Sequence, residues 1–292
     1  MSSDHPHTGT DVNTPTGAHA IAGTDVKACC AAAYQRDVVG LVLGDSYHPG
    51  GLALTRHLGR RLALAPGQRV LDVASGPGAS AVMLAREFGV SVVGVDLGQA
   101  SVAQAREAAQ GAGLGGSVSF QLADAERLPF PDASFDAVVC ECAFCTFPDK
   151  TEAAGEVARV LRPGGRVGIT DVTVEPDRLN VELRGLAGWV ACIADARPLE
   201  DYAGILARAG LAVTCTESHD DALGEMIGAI ETRLRALRLL AGTLPALSEV
   251  DFGKALEMTA LATRAVAEGC AGYALLIAEK TTRTHTQTRP VP

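Results

Sequence analysis

The chain has 292 residues, 47% hydrophobic and 20% charged, enough for one large α/β domain or two smaller ones and too apolar for global disorder. Its net charge of −9 excludes the clustered basic surface that nucleic-acid partners require. No run approaches the ~18 apolar residues that cross a bilayer. The polar start MSSDHPHTGTDVNTPTGAHA lacks an apolar signal segment, so a cytoplasmic protein without membrane partners is expected. In that compartment the 8 cysteines should be reduced, which favours metal binding or catalysis over disulfides.

Residues 1–24 are rich in Thr, Gly, His and Pro and read as a disordered tail, as does 281–292. His5, His7 and His19 in the first tail read as part of a solvated leader rather than a metal trap. A helical cap segment is expected over 25–64. Short apolar runs then predict strands at 69–74, 91–96, 117–124, 135–142 and 165–172, with helices near 79–88, 99–112 and 150–161. Two later strands are expected at 209–218 and 271–280. Between them, helices at 221–241 and 249–268 form an insertion (221–268) placed to roof an active site. This alternation predicts a doubly wound, mostly parallel, seven-stranded sheet in a main domain spanning 65–280.

The first strand runs into VLDVASGPGASA, with Gly76 and Gly78 in a strand-to-helix turn. Glycine permits a tight turn and close backbone approach to a ligand. Alone, the spacing of Gly76, Gly78 and Ala81 also fits a dinucleotide fingerprint, and Asp96 at the end of the second strand suits ribose hydroxyls in either case.

The following residues separate these alternatives. QLADAERLPFPDASFDAVV and then VARVLRPGGRVGITDV resemble the class I S-adenosylmethionine-dependent methyltransferases over about residues 65–175. The resemblance implies S-adenosyl-L-methionine as cofactor. Its methionine portion would lie on the Gly76/Gly78 turn, with Asp72 orienting the amino group directly or through water. Asp96 would hold the ribose, Asp124 and Ala125 would meet the adenine edge, and Leu97 would also belong to the cofactor site. ASGPG departs from the family's commoner Gly-Cys-Gly turn but keeps both glycines where they are needed. The ADAERLPF and RVLRPGG contexts disfavour an NAD-dependent oxidoreductase.

Strand four ends in VVCECAFCTFPDK, and this stretch, followed by VARVLRPGG, looks like the arsenite methyltransferases. Cys192, in CIADARPLEDYAGILARAGL, resembles the second cysteine of that family. The resemblance implies trivalent arsenic held by Cys142, Cys192 and a third thiolate from Cys29 or Cys30, with Cys30 placed in the catalytic set. Thiolates suit a soft centre. Three of them would leave the arsenic lone pair free to attack the sulfonium methyl group, and no general base is needed because this nucleophile carries no proton.

Two other functions stand beside this one: methylation of an organic thiol, hydroxyl or carbon nucleophile, and thiol-based metalloid binding without turnover. The partner is accordingly a small molecule or a metalloid, possibly as a thiol conjugate, and the oligomeric state is left open. Cys140, Cys215 and Cys270 read as core residues, because free cysteine packs as a small hydrophobe. Cys145 is either an auxiliary thiol or core. A structural zinc site at Cys142 and Cys145 is disfavoured, since no partner pair stands at finger-like spacing. Tyr47 and His48 are candidates to close over the cofactor, with His48 equally readable as a loop residue stacked on a helix. Trp189 reads as core packing.

Overall fold

The first strand, β1 (Arg69–Val73), is buried over four of its five residues and lies inside the sheet with a parallel neighbour on each side. The computed structural model describes residues 37–44, 47–184, 193–244, 247–248 and 250–281. Before β1 stand helices α1 (Asp37–Leu43) and α2 (Gly51–Arg61). After it, α3 (Ala79–Phe88), β2 (Ser91–Asp96), α4 (Gln99–Gly111), β3 (Val118–Leu122) and β4 (Phe135–Glu141) alternate. Helix α5 (Lys150–Val160) and β5 (Leu161–Val174) follow. The second half holds α6 (Leu199–Arg208), β6 (Leu211–Ser218), α7 (Asp220–Leu239), α8 (Phe252–Ala267) and β7 (Ala271–Lys280).

The seven strands lie in the order β3-β2-β1-β4-β5-β7-β6, with β7 antiparallel to both of its neighbours. The fold is therefore the expected Rossmann-like, doubly wound sheet. The chain moves outward from β1 to β3 and then returns to place β4 on the other side of β1. The crevice at the carboxyl ends of β1 and β4 is thus the topological switch point, where such sheets bind ligands.

Local chemistry explains the boundaries. Asp149 caps α5 by accepting from the backbone N–H groups of Thr151 (3.1 Å) and Glu152 (2.9 Å). Gly78 precedes α3 and Gly89 ends it, both in the left-handed region. Strand β5 is longer than the expected 165–172. It begins at Leu161, and its pairing with β4 shifts register between Phe135 and Ala137, so Arg-Pro-Gly-Gly interrupts the ladder without preventing the strand. Helix α6 lies within the stretch that carries the second cysteine resemblance and is followed by Ala209 and by Gly210 at φ +84°.

The inserted helices differ in role from the expectation. Helices α7 and α8 pack on each other around a second small core of Leu234, Leu247 and Phe252. Arg233 of α7 donates to the carbonyls of Val42 (3.2 Å) and Leu43 (2.9 Å), tying down the end of α1. No residue of either helix lines the main cavity, so the pair buttresses the N-terminal helices instead of roofing the site. Among the described residues, no helix is long and apolar enough to cross a membrane. The expected tails 1–24 and 281–292 lie outside the described residues except for Thr281, which bonds to the carbonyl of Gly210.

Candidate active site

The main cavity opens at the carboxyl ends of β1, β2 and β4. After β1 the backbone passes through three left-handed residues: Ala74 (φ 57°), Gly76 (φ 51°) and Gly78 (φ 85°). The two glycines have different tasks. Gly76 lines the cavity, and a Cβ added there would meet no protein atom within 4 Å, leaving a bare backbone cradle. Gly78 does not line the cavity. A Cβ there would stand 2.6 Å from Phe120 Cζ and 2.9 Å from Ala105 Cβ, so this glycine lets α3 pack closely on α4 and β3.

Asp96 holds the cradle. Its Oδ2 accepts from the backbone N–H of Gly76 (2.9 Å) and its Oδ1 from that of Gly98 (2.7 Å). Asp72 is 3% exposed, and its Oδ2 has no hydrogen-bond partner; the hydroxyl oxygen of Ser75 beside it is also unpartnered. Burial pushes the Asp72 carboxyl well above the usual aspartate range, with the nearby charges of Glu141 and Asp96 adding to the rise. Asp124 accepts from the N–H of Glu126 (2.9 Å) and lines the same cavity, as do Leu97 and Ala125.

Four carboxylates (Asp72, Asp96, Asp124 and Glu141) face this cavity, and its described lining includes no lysine or arginine. Such a concentration of like charge suits a cationic ligand. S-adenosylmethionine, with its ammonium and sulfonium groups and its ribose hydroxyls, fits this donor set. The orphaned Asp72 oxygen suits the ammonium, Asp96 the ribose, and Asp124 with the Leu97 and Ala125 surfaces the adenine.

The opposite wall is made of side chains. Glu141, the last residue of β4, has a side chain only 5% exposed. Thr55 of α2 places its hydroxyl 3.0 Å from each Glu141 oxygen, and the Ser80 hydroxyl of α3 donates to Oε2 at 2.7 Å. The His48 Nε2 lies 3.7 Å from the same oxygen and 3.3 Å from the Thr55 hydroxyl. At 3.2 Å from the carbonyl oxygen of Pro49, its Nδ1 carries the proton in that contact. His48 is a buried loop residue set against Thr55 of α2, and Tyr47 lines the cavity beside it.

The described thiols occupy different surroundings. Cys142 lines the cavity in the left-handed region (φ 52°), its N–H donating to the carbonyl of Thr170 at 2.7 Å. Cys145 is buried and outside the described lining of the cavity, with its backbone N–H bonded to Asp171 Oδ2 (2.9 Å). Cys140 and Cys270 are buried, as expected of core residues. Cys215 departs from that expectation, for it is half-buried and faces Glu217 and Arg61. Cys29, Cys30, Cys192 and Trp189 lie outside the described residues. The Pro-Asp-Lys turn is structural: beyond the Asp149 cap, buried Lys150 donates to Phe147 O (3.0 Å) and Asp195 Oδ2 (2.5 Å), clamping the loop after β4 to the segment before α6.

Glu141, Thr55 and Ser80 were not singled out from the sequence. Glu141 had a visible signal, a charge set inside the buried run VVCEC, where a carboxylate needs partners to be tolerated. The two hydroxyls had none.

Residues 71–169 match the sequence family described as a methyltransferase domain. A methyltransferase of Streptomyces halstedii, GfsG, is 36% identical over 170 residues, 57% of this chain and 61% of that protein. An arsenite methyltransferase of Halobacterium salinarum is 35% identical over 153 residues, 51% of this chain and 38% of that protein. Other relatives are named as O-methyltransferases and C-methyltransferases. The matched segments thus span less than two thirds of these relatives' own lengths. Among solved structures, a phosphoethanolamine N-methyltransferase of Haemonchus contortus superposes with TM-score 0.74 at 21% identity, covering 88% of this chain and 61% of that one. Over residues 71–169 the chain thus matches a methyltransferase domain, and the Rossmann-like sheet with its cavity at the switch point fits S-adenosylmethionine as cofactor. The molecule that receives the methyl group is a separate matter.

Proposed function

We propose that this chain methylates a small organic molecule carrying a hydroxyl group, with Glu141 and His48 receiving the hydroxyl proton. The observation that carries this reading is the buried Glu141 carboxylate on the cavity wall, held by Thr55 and Ser80 and backed by His48. When bound, S-adenosylmethionine supplies an electrophilic methyl group and departs as S-adenosylhomocysteine. An acceptor lying against the Glu141 wall forms its new O–C bond as its O–H bond breaks, and the proton passes to a Glu141 oxygen. Thr55 connects that carboxylate to His48 Nε2, so the proton is shared within a network already assembled. Relatives named as O-methyltransferases are consistent with this acceptor class.

The test is to incubate the protein with labelled S-adenosylmethionine and a panel of phenols and aliphatic alcohols. Removing a positioned general base costs about 10²–10⁴ in rate. Glu141→Gln should show that loss while S-adenosylhomocysteine affinity, measured by calorimetry, stays unchanged. Undiminished turnover in Glu141→Gln sinks the base assignment.

A second reading, methylation of As(III), is favoured by Cys142 on the cavity wall and by the archaeal relative named for arsenite. It reverses the mutational pattern. With As(III) and glutathione as substrates, Cys142→Ser should abolish methylation and Glu141→Gln should leave it intact, because the soft nucleophile carries no proton. Tight As(III) binding without methyl transfer to any acceptor supports a metalloid-binding protein instead.

A further inference from the structure

A second cluster of ligating side chains lies on the far side of α2 from the Glu141 wall. Along β6, Val213, Cys215 and Glu217 are partly buried while Ala212, Thr214, Thr216 and Ser218 are exposed, so Cys215 and Glu217 share one face of the strand. His219, two residues further on, precedes α7. His57 and Arg61, one turn apart on α2, face them across the gap.

His57 Nε2 lies 2.6 Å from Glu217 Oε2, and His219 Nε2 lies 3.4 Å from the same oxygen. The His57, Glu217 and His219 ligand atoms all fall within 4.8 Å of one another. Two imidazoles therefore converge on one carboxylate oxygen, and the His219 Nε2 is buried there without a hydrogen bond. An ion pair between strand and helix needs only one of these imidazoles. A cation between them would give the second one a partner.

We propose that His57, Glu217 and His219 form a zinc(II) site, with the thiolate of Cys215 as its fourth ligand. Two imidazoles, a carboxylate and a thiolate are the donors zinc takes in tetrahedral geometry, at about 2.0–2.3 Å. The Cys215 Sγ already stands 3.7 Å from Glu217 Oε1. Arg61 lies against two of these ligands, with Nε 2.7 Å from Glu217 Oε1 and its guanidinium against Cys215. Its side chain is 42% exposed, with solvent to turn into, so it competes with the metal rather than blocking it. The imidazoles ligate through a neutral ring nitrogen and Cys215 as its thiolate, so the thiol proton is released to solvent on binding.

The experiment titrates chelator-treated full-length protein with cobalt(II), then displaces it with zinc(II). One equivalent of cobalt(II) should give the visible bands of tetrahedral coordination and a near-ultraviolet thiolate band, both lost on adding zinc(II). Cys215→Ser should remove the thiolate band. His57→Ala and His219→Ala should each weaken binding beyond the about 10–100-fold that changes around a ligand shell cost. His57→Gln serves where the alanine variant unfolds, and unchanged S-adenosylhomocysteine affinity certifies the fold of each variant. Arg61→Gln should tighten binding by about tenfold or more, the effect of removing a cation from the site. Cobalt(II) bound equally well by the His57→Ala/His219→Ala double variant, or loosened by Arg61→Gln, overturns the proposal.

Discussion

The two walls of the cavity are built from different material. On the cofactor side the shape comes from backbone: the Gly76 cradle, left-handed Ala74, and amide groups of Gly76 and Gly98 held by Asp96. On the acceptor side it comes from side chains of separate segments, and the Thr55–Glu141 contact joins residues 86 apart in sequence. A wall of backbone resists substitution everywhere except at its glycines and their anchor. A wall of side chains depends on α2 lying correctly across the sheet, where Leu58 fills the space above Gly168. Damage to one wall should therefore leave the other working.

The sharpest way to break this division is Glu141→Gln, expected to lower turnover by about 10²–10⁴ with cofactor affinity preserved. If affinity for S-adenosylhomocysteine falls in step with turnover, the walls are not independent.

The glycines come next. Gly78→Ala sets a methyl group against Phe120 and Ala105 at a φ of +85°. Backbone strain and overpacking, each worth about 1–3 kcal/mol, should both appear as lost stability in urea denaturation. Gly76→Ala meets open space, so it should cost only about 1–2 kcal/mol of left-handed strain while cutting cofactor affinity sharply. Similar stability losses in the two variants would contradict the separate tasks assigned to them.

Asp96→Ala releases the carboxylate that holds the cradle. Charge-assisted hydrogen bonds of this kind contribute about 1.5–3 kcal/mol, so calorimetry should show a loss of that size in cofactor binding. Full retention of affinity would remove Asp96 from the site.

The smallest effect expected concerns Asp72, whose buried carboxyl titrates above its unfolded value. Folding opposes its charged form. The penalty is absent below the ordinary aspartate range and grows as pH rises through it toward the raised folded value. Asp72→Asn should accordingly melt higher than the parent protein in the absence of cofactor, with the gap widening as pH rises from about 4. The same variant should bind the cofactor less well, a stability gain obtained at the expense of function. A gap that does not change with pH would mean the carboxyl is not what burial penalises.

Much of the cofactor wall was legible because its determinants are local. A strand running into Gly76 and Gly78, and an aspartate ending the next strand, can be read within 30 residues of sequence. Strand β7 was read at its observed bounds, since its apolar run is continuous and flanked by turn residues. The bulge where β5 meets Phe135 was not readable, because register depends on a partner strand rather than on the strand itself. Thr55 and Ser80 are ordinary helical hydroxyls, and only the crossing of α2 and α3 beside β4 turns them toward Glu141. The left-handed φ of Cys142 was equally hidden, as cysteine has no preference for that region.

The position of β7 has a kinetic consequence. It lies between β5 and β6, and among the described residues β6 hydrogen-bonds to no other strand. On the ribosome, residues 211–218 therefore emerge with no sheet to join, and β5 waits with a raw edge until residues 271–280 have been made. Closure then brings together Thr170 and Tyr273, 103 residues apart, to form a buried hydrogen bond. Loop closure over that distance is slow, and until it is complete the nascent chain presents the unpaired strand edges that chaperones recognise and that seed aggregation.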